Sequence, residues 1–328
     1  MPSPWSVAGV WRIIRDIDLE GIQASALAPF ELWVAADDPV DAGALLDLLS
    51  PSGARHPWIL TFAPDAVPGA AASAVIATVL VSRTSVLSEP LRRVAHAMTA
   101  ARVPVVTVVL GETGPAASAQ GSGEDARVAV TAMDDSAVAP LAATLLSVIP
   151  RDRRLALGRQ LPPVRATLFD GLIHETAQAN ASFALTTGLA ETVPLLTAPL
   201  NVGDIVVLTK NQLMLGYRIV LASGRSGDPR RLIREIIGVL GGGLLFRQIA
   251  RQLVGLIPVA GLVPKVAIAY SGTWAIGRAI AAWANEGRTI TGDLVRGYSA
   301  EALGRGRALA ERLVTDARSG ALRLRRRG

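Results

Sequence analysis

Three apolar runs rich in small residues decide the fold of the carboxy-terminal half. They read Ile236-Ile-Gly-Val-Leu-Gly-Gly-Gly-Leu-Leu-Phe246, Leu253-Val-Gly-Leu-Ile-Pro-Val-Ala-Gly-Leu-Val-Pro264 and Tyr270-Ser-Gly-Thr-Trp-Ala-Ile-Gly277. A helix that spans a bilayer needs about 20 predominantly apolar residues, and each of the first two runs is shorter than that. No catalytic constellation is visible in any of them, so they predict structure and surroundings rather than chemistry.

The longest apolar candidate, Leu253 to Ala284, contains two cations that decide how it folds. Lys265 interrupts it near the middle, and Arg278 lies toward its end. A charged side chain near the centre of a bilayer costs roughly 3 kcal/mol or more. A helical hairpin that turns between Pro258 and Pro264 keeps Lys265 at the level of the lipid headgroups. We therefore predict an apolar hairpin that either dips into a membrane or forms the core of a helical bundle.

Charge is distributed unequally along the chain. Residues 1–200 hold 13 arginines and lysines against 19 aspartates and glutamates, a net charge of −6, and residues 201–328 hold 20 against 8, a net charge of +12. Cations beside apolar segments favour an anionic surface, either phospholipid or nucleic acid. Because only 4% of the residues are aromatic and no base-reading motif is present, we expect no nucleic-acid partner. A solvated arginine-rich face remains the alternative to a lipid surface.

The chain contains no cysteine, which excludes disulfides, thiolate metal sites and cysteine nucleophiles. This usage is typical of a cytoplasmic protein. The segment from Pro4 to Ile22 has helical spacing but mixes charges among its apolar residues, so it does not resemble a secretory signal. We predict an amphipathic helix within residues 1–27 that packs on the protein or lies in a membrane interface.

Five short apolar runs in the next part of the chain predict strands buried on both faces of a parallel sheet. They cover residues 32–36, 58–62, 75–81, 103–110 and 127–131. Helices are predicted between them, notably at 42–49, 86–101 and 136–149, the last capped by Asp134 or Asp135. Strands that alternate with helices predict a doubly wound α/β domain over residues 28–150.

After Pro150 the pattern predicts helices only. They cover residues 163–189, 202–222, 229–240, 244–256, 264–285 and 292–319. We assign residues 151–290 to a helical domain that contains the apolar hairpin, and residues 291–328 to a basic helix and tail. Near an anionic leaflet such a tail contributes about 1 kcal/mol per cation, although a solubilising role is equally compatible with its composition.

A phosphate-binding loop would follow the first strand of such a domain, in the spacing GxxxxGK[ST]. The residues there are Ala36, Asp37, Asp38, Asp41, Ala42 and Gly43. Alanine and aspartate replace the two glycines, alanine replaces the lysine and glycine replaces the hydroxyl residue. The three carboxylates would repel phosphates. We therefore expect no bound nucleotide and no cofactor, and we favour a solvated acidic turn over a Mg²⁺ site.

The position that reads guanine is also altered. An Asn-Lys-x-Asp motif would follow the strand that ends at Leu110, but the chain reads Gly111-Glu-Thr-Gly114. Thr131-Ala132-Met133 stands where a Ser-Ala pair would follow the next strand. These differences predict a degenerate P-loop, GTPase-like scaffold without its chemistry. The alternative is a divergent GTP-binding enzyme in which Arg55 or Arg83 replaces the lysine.

Several weak motifs occur in order between about residues 155 and 285. They are Leu161-Pro-x-x-Arg165, Asn180-Ala181, Asp204, Ile205 to Met214 with Gln212, Gly241-Gly-Gly243, Arg247, Arg251, Ile257-Pro258 and Tyr270-x-x-Thr273-x-x-x-Gly277. Together they resemble the YcjF-type domain of unknown function, a family of bacterial membrane-associated proteins that also forms the carboxy-terminal domain of Era-like GTPases. The resemblance implies membrane proximity, a non-catalytic helical module and a preceding GTPase relative. Since Ala42 replaces the loop lysine, it does not imply GTP hydrolysis.

One predominantly apolar helix carries polar residues that repeat along one face. Asp204, Asn211 and Arg218 are seven residues apart, and Gln212 lies on the same helix. We predict that these four form a buried polar network that fixes helix register, with a ligand site as the alternative.

Small residues four apart also occur in pairs, Gly238 with Gly242 and Ala267 with Ser271. This spacing favours close helix contact, and for the glycines it is equally typical of a turn. Contacts with a membrane or a partner are predicted for the cations of the basic half. These are Arg247, Arg251, Lys265, Arg278, Arg323, Arg325, Arg326 and Arg327.

No pattern indicates an enzyme. The three histidines, His56, His96 and His174, lack partners at metal-ligand spacing, and no serine elbow or paired carboxylates appear. We expect a non-catalytic scaffold or interaction protein at the cytoplasmic face of the bacterial inner membrane, or alternatively in the cytoplasm. Its partners would be an anionic membrane surface and a protein or a second copy. A divergent GTPase and a soluble homo-oligomeric interaction module are the two alternatives.

Overall fold

The computed structural model describes residues 15, 17–50, 57–66, 74–111, 125–190, 202–239 and 262–325. These residues divide into two compact units. The sheet unit comprises the described residues from 21 to 168 together with 221–225. The helical unit comprises the described residues before 21, from 169 to 220 and from 226 onward.

The sheet unit contains five strands that pair only in parallel. They are β1 (Glu31–Ala36), β2 (Ile59–Phe62), β3 (Val75–Ser82), β4 (Val105–Leu110) and β5 (Asp125–Val130). Their order is β2-β1-β3-β4-β5. In this order the direction of the connections reverses between β1 and β3, and doubly wound sheets bind ligands at that point, beyond the carboxyl ends of the strands.

The central strands are buried on both faces, as their continuous apolar sequences require. Every residue of β3 is buried, whereas two of the four residues of the edge strand β2 are exposed. Among the described residues, all five predicted strands are present, with bounds that differ by one or two residues. The β-branched runs fit the pleated, fully covered surface of a parallel sheet.

Helices precede, connect and follow the strands of the sheet. They are α1 (Leu19–Leu27), α2 (Pro39–Leu49), α3 (Glu89–Ala100), α4 (Asp135–Val148), α5 (Arg154–Gln160) and a 3₁₀ turn (Pro162–Val164). Trp33 and Ala35 of β1 pack with Leu91 and Val94 of α3, while α2 contacts α4. The connections into β2 and into β4 run in opposite directions, and right-handed crossovers then place α2 and α3 on opposite faces.

The one helix cap predicted in this unit is present. Asp134 accepts a hydrogen bond from Ser136 N at 2.9 Å, so the prediction that an aspartate caps α4 is confirmed. Pro39 and Pro90 each lie in the first turn of a helix, α2 and α3, where the missing N–H has no helical partner to lose. The sequence did not predict α5 or the 3₁₀ turn, because both are too short to show a helical period.

The helical unit contains long helices. They are α6 (Arg165–Ala190), α7 (Val202–Ala222), α8 (Pro229–Val239), α9 (Leu262–Glu286) and α10 (Gly292–Arg325), the first two of which each contribute one end to the sheet unit. The predicted α/β part followed by a helical part is therefore confirmed, and the GTPase-like identity of the sheet remains a prediction.

The apolar helix α9 is the central element of the helical unit. A Cβ added at Gly277 would lie 2.7 Å from Ile173 of α6 and 3.0 Å from Leu215 of α7. On another side, α9 packs along α10. Nearly all residues from Val266 to Ala282 are buried. The second arm of the predicted hairpin thus forms a bundle core, which is one of the two alternatives given by its sequence.

Helix α10 faces α9 with small residues rather than with its leucines. Its buried positions are Val295, Ser299, Ala302, Gly306, Ala310 and Val314. A Cβ at Gly306 would lie 2.7 Å from Ser271 Oγ and 3.0 Å from the carbonyl oxygen of Ala267. The Ala267–Ser271 pair therefore serves a close contact within the chain.

Several predictions fall outside the described residues. These are the helix over 244–256, the glycines Gly241 to Gly243, the turn at Ile257 and Pro258, and the helix before residue 15. The amphipathic helix predicted from Pro4 to Ile22 is interrupted in its described part. The backbone bends at Ile17, and α1 begins at Leu19. Within the parts of the chain that are described, no helix is both long and apolar enough to cross a membrane.

Candidate functional site

The loops that follow β1, β3, β4 and β5 meet at the carboxyl edge of the sheet, around a cavity of about 590 Å³. Its lining residues are Asp41, Ala44, Arg83, Leu110, Gly111, Thr131, Ala132 and Met133. A second cavity of about 460 Å³ shares two of them and adds Asp47, Leu48, Asp134 and Asp135. The loops that the sequence analysis compared with a nucleotide site therefore lie together at one edge of the sheet.

The loop after β1 turns directly into the amino terminus of α2, where a phosphate would need free backbone N–H groups. Asp38 occupies the capping position, and its carboxylate accepts a hydrogen bond from Val40 N at 2.9 Å. Asp41 lies in the first turn of the same helix. The positive end of the helix dipole therefore already faces two carboxylates of the chain itself.

Arg83, which follows β3, forms a two-bond ion pair with Asp41. Its Nε donates to Oδ2 at 2.8 Å and its Nη2 donates to Oδ1 at 2.9 Å. The Asp41 side chain is only 10% exposed, whereas the Arg83 side chain is 63% exposed. These hydrogen bonds from Arg83 to Asp41 raise the pKa of the guanidinium above its ordinary value. The pair satisfies a carboxylate that would otherwise be buried alone.

Further hydrogen bonds tie the loops after β1 and β3 together. Arg83 Nη2 also lies 3.4 Å from Oδ2 of Asp38, and Ser88 Oγ donates to Oδ1 of Asp37. The three aspartates predicted as a solvated acidic turn are thus bonded in different ways, one as a helix cap, one in an ion pair and one to a serine. Asp41 is the exception to that prediction, because it is buried.

The electrostatics of this edge disfavour a phosphate ligand. Arg83 is the cation among the described lining residues, and it is already paired with Asp41. Asp47, Asp134 and Asp135 line the adjoining cavity, and the hydrogen bonds from Ser136 lower the pKa of Asp134. An anion would therefore meet a negative rim. Among the described residues, no group of three or more histidines, aspartates and glutamates could hold a metal ion.

The predicted polar network on α7 is joined by residues of two other helices. Asn211 Nδ2 donates to Asn180 Oδ1 at 2.7 Å, and Gln212 Nε2 donates to Thr273 Oγ1 at 3.2 Å. Asn180 Nδ2 donates to the same Thr273 oxygen at 2.8 Å, which itself donates to Ala269 O. Asn180 and Thr273 are fully buried. These bonds link α6, α7 and α9 at one level.

The other two predicted members of the network lie elsewhere. Arg218 is half-buried on α7, and none of the hydrogen bonds in this cluster reaches it. Asp204 lies in the first turn of α7, and its side chain is outside the described residues. Asn180 and Thr273 were named only among the motifs of the family resemblance. The periodicity of α7 could not assign them to the network, because they lie on separate helices. The sequence signal that could have identified each of these two residues is a polar side chain within an otherwise apolar helical face.

Arg278, predicted to contact a membrane or a partner, is engaged within the helical unit. It forms an ion pair with Asp170, and its guanidinium lies 5.4 Å from the ring of Trp274 and 5.9 Å from that of Tyr298. Such cation–π contacts contribute about 0.5–1 kcal/mol each at exposed sites. Lys265 is half-buried near the start of α9.

The arginines of α10 are largely balanced by acidic neighbours. Arg305 lies 3.4 Å from Glu301, and Arg307 lies 3.3 Å from Glu311. The described part of this predicted basic helix therefore carries ion pairs along its exposed face. Arg323 and Arg325 lie in the last turn of α10, but their side chains are not described. The other predicted contact residues, Arg247, Arg251, Arg326 and Arg327, lie outside the described residues, as do Arg55 and His56.

The chain was compared with protein-family models, curated proteins and solved structures, and none of them matches it.

Proposed function

We propose that this protein is a non-catalytic, membrane-associated interaction protein. Its sheet unit is a GTPase-like domain without nucleotide binding, and its helical part is a YcjF-type domain. One observation carries the first half of the proposal. Asp38 and Asp41 occupy the helix terminus where phosphates would bind, and Asp41 holds the cation Arg83 by two hydrogen bonds.

The carboxylate of Asp41 stands in for the anion that such a site would bind. Arginine recognises carboxylates and phosphates through the same planar pair of donors. A phosphate could take the paired Nε–Nη2 edge of Arg83 only by displacing a carboxylate that is 10% exposed and that would then remain charged and unpaired. This cost supports an inactive site over a divergent GTPase that uses Arg83 in place of lysine.

Nucleotide binding is tested by titrating the full-length protein with a fluorescent GTP analogue in the presence and absence of Mg²⁺. We expect no saturable signal up to about 1 mM, a limit that corresponds to about −4 kcal/mol of binding free energy. An Arg83→Gln variant is the matched control. Saturable binding that requires both Mg²⁺ and Arg83 would instead establish the divergent GTPase.

The membrane part of the proposal is supported by the sequence between the described helices α8 and α9, and by the arginine-rich tail. Residues 240–261 contain most of the first two apolar runs, and residues 323–327 contain four arginines. These cations are not matched by carboxylates in the last ten residues, in contrast to the ion-paired arginines of α10.

Vesicle flotation tests this part, with neutral and anionic lipid compared at low and high salt. A chain that ends at Ser319 is the suitable truncation, because it keeps the residues of α10 that pack on α9. If both forms float at high salt, the apolar segment is embedded. If only the full chain floats, on anionic lipid at low salt, the tail is an electrostatic tether. If neither floats, membrane association is wrong and the apolar segment belongs to a core or a protein interface.

A further inference from the structure

Two half-buried arginines in the sheet unit lie together without a carboxylate partner. Arg159 is on α5, and Arg165 begins α6 after the 3₁₀ turn. The charge of Arg159 acts directly on Arg165 and lowers its pKa, in addition to the larger effect of burial. Burial alone lowers the pKa of Arg159. The two guanidinium groups are thus held close together in a partly desolvated environment.

The hydrogen bonds of this pair all go to backbone carbonyl oxygens. Arg159 Nη1 donates to Leu221 O at 3.1 Å and to Arg225 O at 2.6 Å. Arg165 Nε donates to Gly158 O at 2.8 Å, and its Nη2 donates to Arg159 O at 3.1 Å. These carbonyls lie at and just beyond the carboxyl ends of α5 and α7. They fix both side chains in place but supply only partial negative charge.

The exposed arginines of the protein differ from this pair. Within the described part of the chain, arginines that form ion pairs with carboxylates include Arg83, Arg92, Arg231, Arg278, Arg296, Arg305 and Arg307. Arg159 and Arg165 form none there. Ion pairing matters most where water is partly excluded, because an unpaired charge then loses hydration without compensation. Arg159 and Arg165 are partly desolvated and lack this compensation.

The bonds to carbonyls leave donors on both guanidinium groups. In Arg159, Nε and Nη2 take no part in them, and these two atoms form the edge that binds an oxyanion through two parallel hydrogen bonds. In Arg165, Nη1 is likewise not used. The backbone beside the pair is held by Gly224, whose φ is +97°, and a Cβ there would approach Arg165 Nη2 to 3.3 Å. Glycine thus keeps this side of the pair free of a side chain.

We propose that Arg159 and Arg165 together bind a phosphate group, supplied either by inorganic phosphate or by the headgroup of an anionic lipid. A phosphate carries up to two negative charges at neutral pH and accepts hydrogen bonds on several oxygens, so it matches both the charge and the donors of the pair. This site is separate from the carboxyl edge of the sheet, where the only cation of the described lining is already paired. The alternative is that the two arginines act solely as caps of α5 and α7.

The first arm of the test uses inorganic phosphate. Full-length protein is titrated with phosphate, against chloride at equal ionic strength, while heat release and the thermal unfolding midpoint are measured. We expect saturable binding that raises the midpoint. Arg159→Gln should weaken binding by about tenfold or more, as expected when a charge-assisted hydrogen bond is lost. Arg92→Gln, which removes an exposed, ion-paired arginine of α3, should leave it unchanged.

The second arm uses vesicles of phosphatidylcholine alone or mixed with phosphatidylglycerol. If the lipid headgroup is the source, the protein binds the mixed vesicles, and Arg159→Gln reduces that binding while Arg92→Gln does not. Arg165→Lys keeps the charge but removes the planar pair of donors, so it should weaken whichever interaction is found. It also serves as the deciding variant if Arg159→Gln does not fold, as judged by circular dichroism.

The outcomes separate the two roles. Arginine-dependent binding in either arm supports the site and identifies the source of the phosphate. If neither ligand binds in a manner that depends on Arg159 or Arg165, the proposal is overturned and the pair is a structural cap.

Discussion

At the scale of single residues, the helical unit depends on polar groups that are buried and fully bonded. Thr273 Oγ1 accepts hydrogen bonds from Asn180 and Gln212 and donates one to Ala269 O. A hydroxyl has one donor and two acceptor sites, so this oxygen is saturated. Networks of this kind specify helix register because any shift leaves buried groups without partners.

Replacing Thr273 with valine preserves the shape of the side chain but removes the shared acceptor. The amide groups of Asn180 and Gln212 then each lose a partner, and we expect the free energy of unfolding to fall by about 2–3 kcal/mol. Thr187→Val is the matched control, since Thr187 Oγ1 bonds only within its own helix and should change stability by less than about 0.5 kcal/mol. Urea denaturation measures both. Equal effects of the two substitutions would contradict a role for the network.

Tyr217 shows the opposite situation. Its side chain is completely buried, and its hydroxyl has no hydrogen-bond partner within the described structure. Burial, assisted by the charges of Glu20 and Asp228, raises the pKa of this hydroxyl to about 12. Tyr217→Phe removes an unsatisfied polar group, and near pH 7 we expect it to leave stability unchanged or to increase it by up to about 1 kcal/mol.

The same residue predicts a dependence on alkaline pH. In the unfolded chain a tyrosine ionises near pH 10, while folded Tyr217 keeps its proton until about pH 12. Between these values the folded state binds more protons than the unfolded state, so stability falls as the pH rises. Thermal unfolding of wild type and Tyr217→Phe from pH 8 to pH 11 should show the phenylalanine variant losing less stability. Parallel curves would rule this out.

At the scale of elements, close contact between α9 and α10 depends on the absence of side chains. A Cβ at Gly306 would approach Ser271 Oγ to 2.7 Å and Ala267 O to 3.0 Å, whereas a Cβ at Gly304 would meet nothing within 4 Å. The second of these contacts is with the backbone, which cannot rotate away. Three leucines of α10, Leu303, Leu309 and Leu313, are only half-buried.

Alanine substitutions at these two glycines should therefore change the free energy of unfolding in opposite directions. Alanine is favoured over glycine in a helix by about 1 kcal/mol, and we expect Gly304→Ala to be more stable by up to that amount. In Gly306→Ala the steric cost of overpacking, about 1–3 kcal/mol, should outweigh the gain and lower stability. Chemical denaturation of the two variants makes the comparison. A stabilised Gly306→Ala would mean that the two helices are not packed this closely.

At the scale of the whole molecule, each unit has its own core, and burial differs strongly among elements. In the sheet unit β3 is buried at every position, while β2 has exposed residues at an edge. In the helical unit, α9 is surrounded by other helices and α8 presents exposed arginines. Backbone groups open to solvent most readily where few buried contacts hold them.

Hydrogen exchange should follow this order. We expect the slowest amides in β3 and in the centre of α9, and faster exchange by about tenfold or more in β2 and α8, because each 1.4 kcal/mol of opening free energy changes the rate tenfold. Mass spectrometry of peptides from the full-length protein measures the rates. Protection of β2 equal to that of β3 would show that the edge strand is covered.

Local sequence determined the elements of this protein. Runs of β-branched residues predicted every described strand because a parallel sheet is covered on both faces, and helical spacing predicted the long helices to within a few residues. The unusual chemistry of the loop after β1 was also evident from sequence, because Ala42 and the three aspartates differ in residue type from a phosphate-binding loop. The short helix α5 and the break at Ile17 could not be predicted, because a segment of only a few residues is too short to show a helical period.

Only the tertiary structure decided which residues meet. Arg83 lies beside Asp41, 42 positions earlier, because parallel crossovers bring the carboxyl ends of β1 and β3 together. Asn180 and Thr273 meet for a similar reason, as two helices pack at one level. The apolar α9 could have entered a membrane by its sequence, but α10 covers it with small residues. The periodicity of a sequence identifies the apolar face of one helix or strand. Which element packs against that face is decided by the packing of all the other helices and strands.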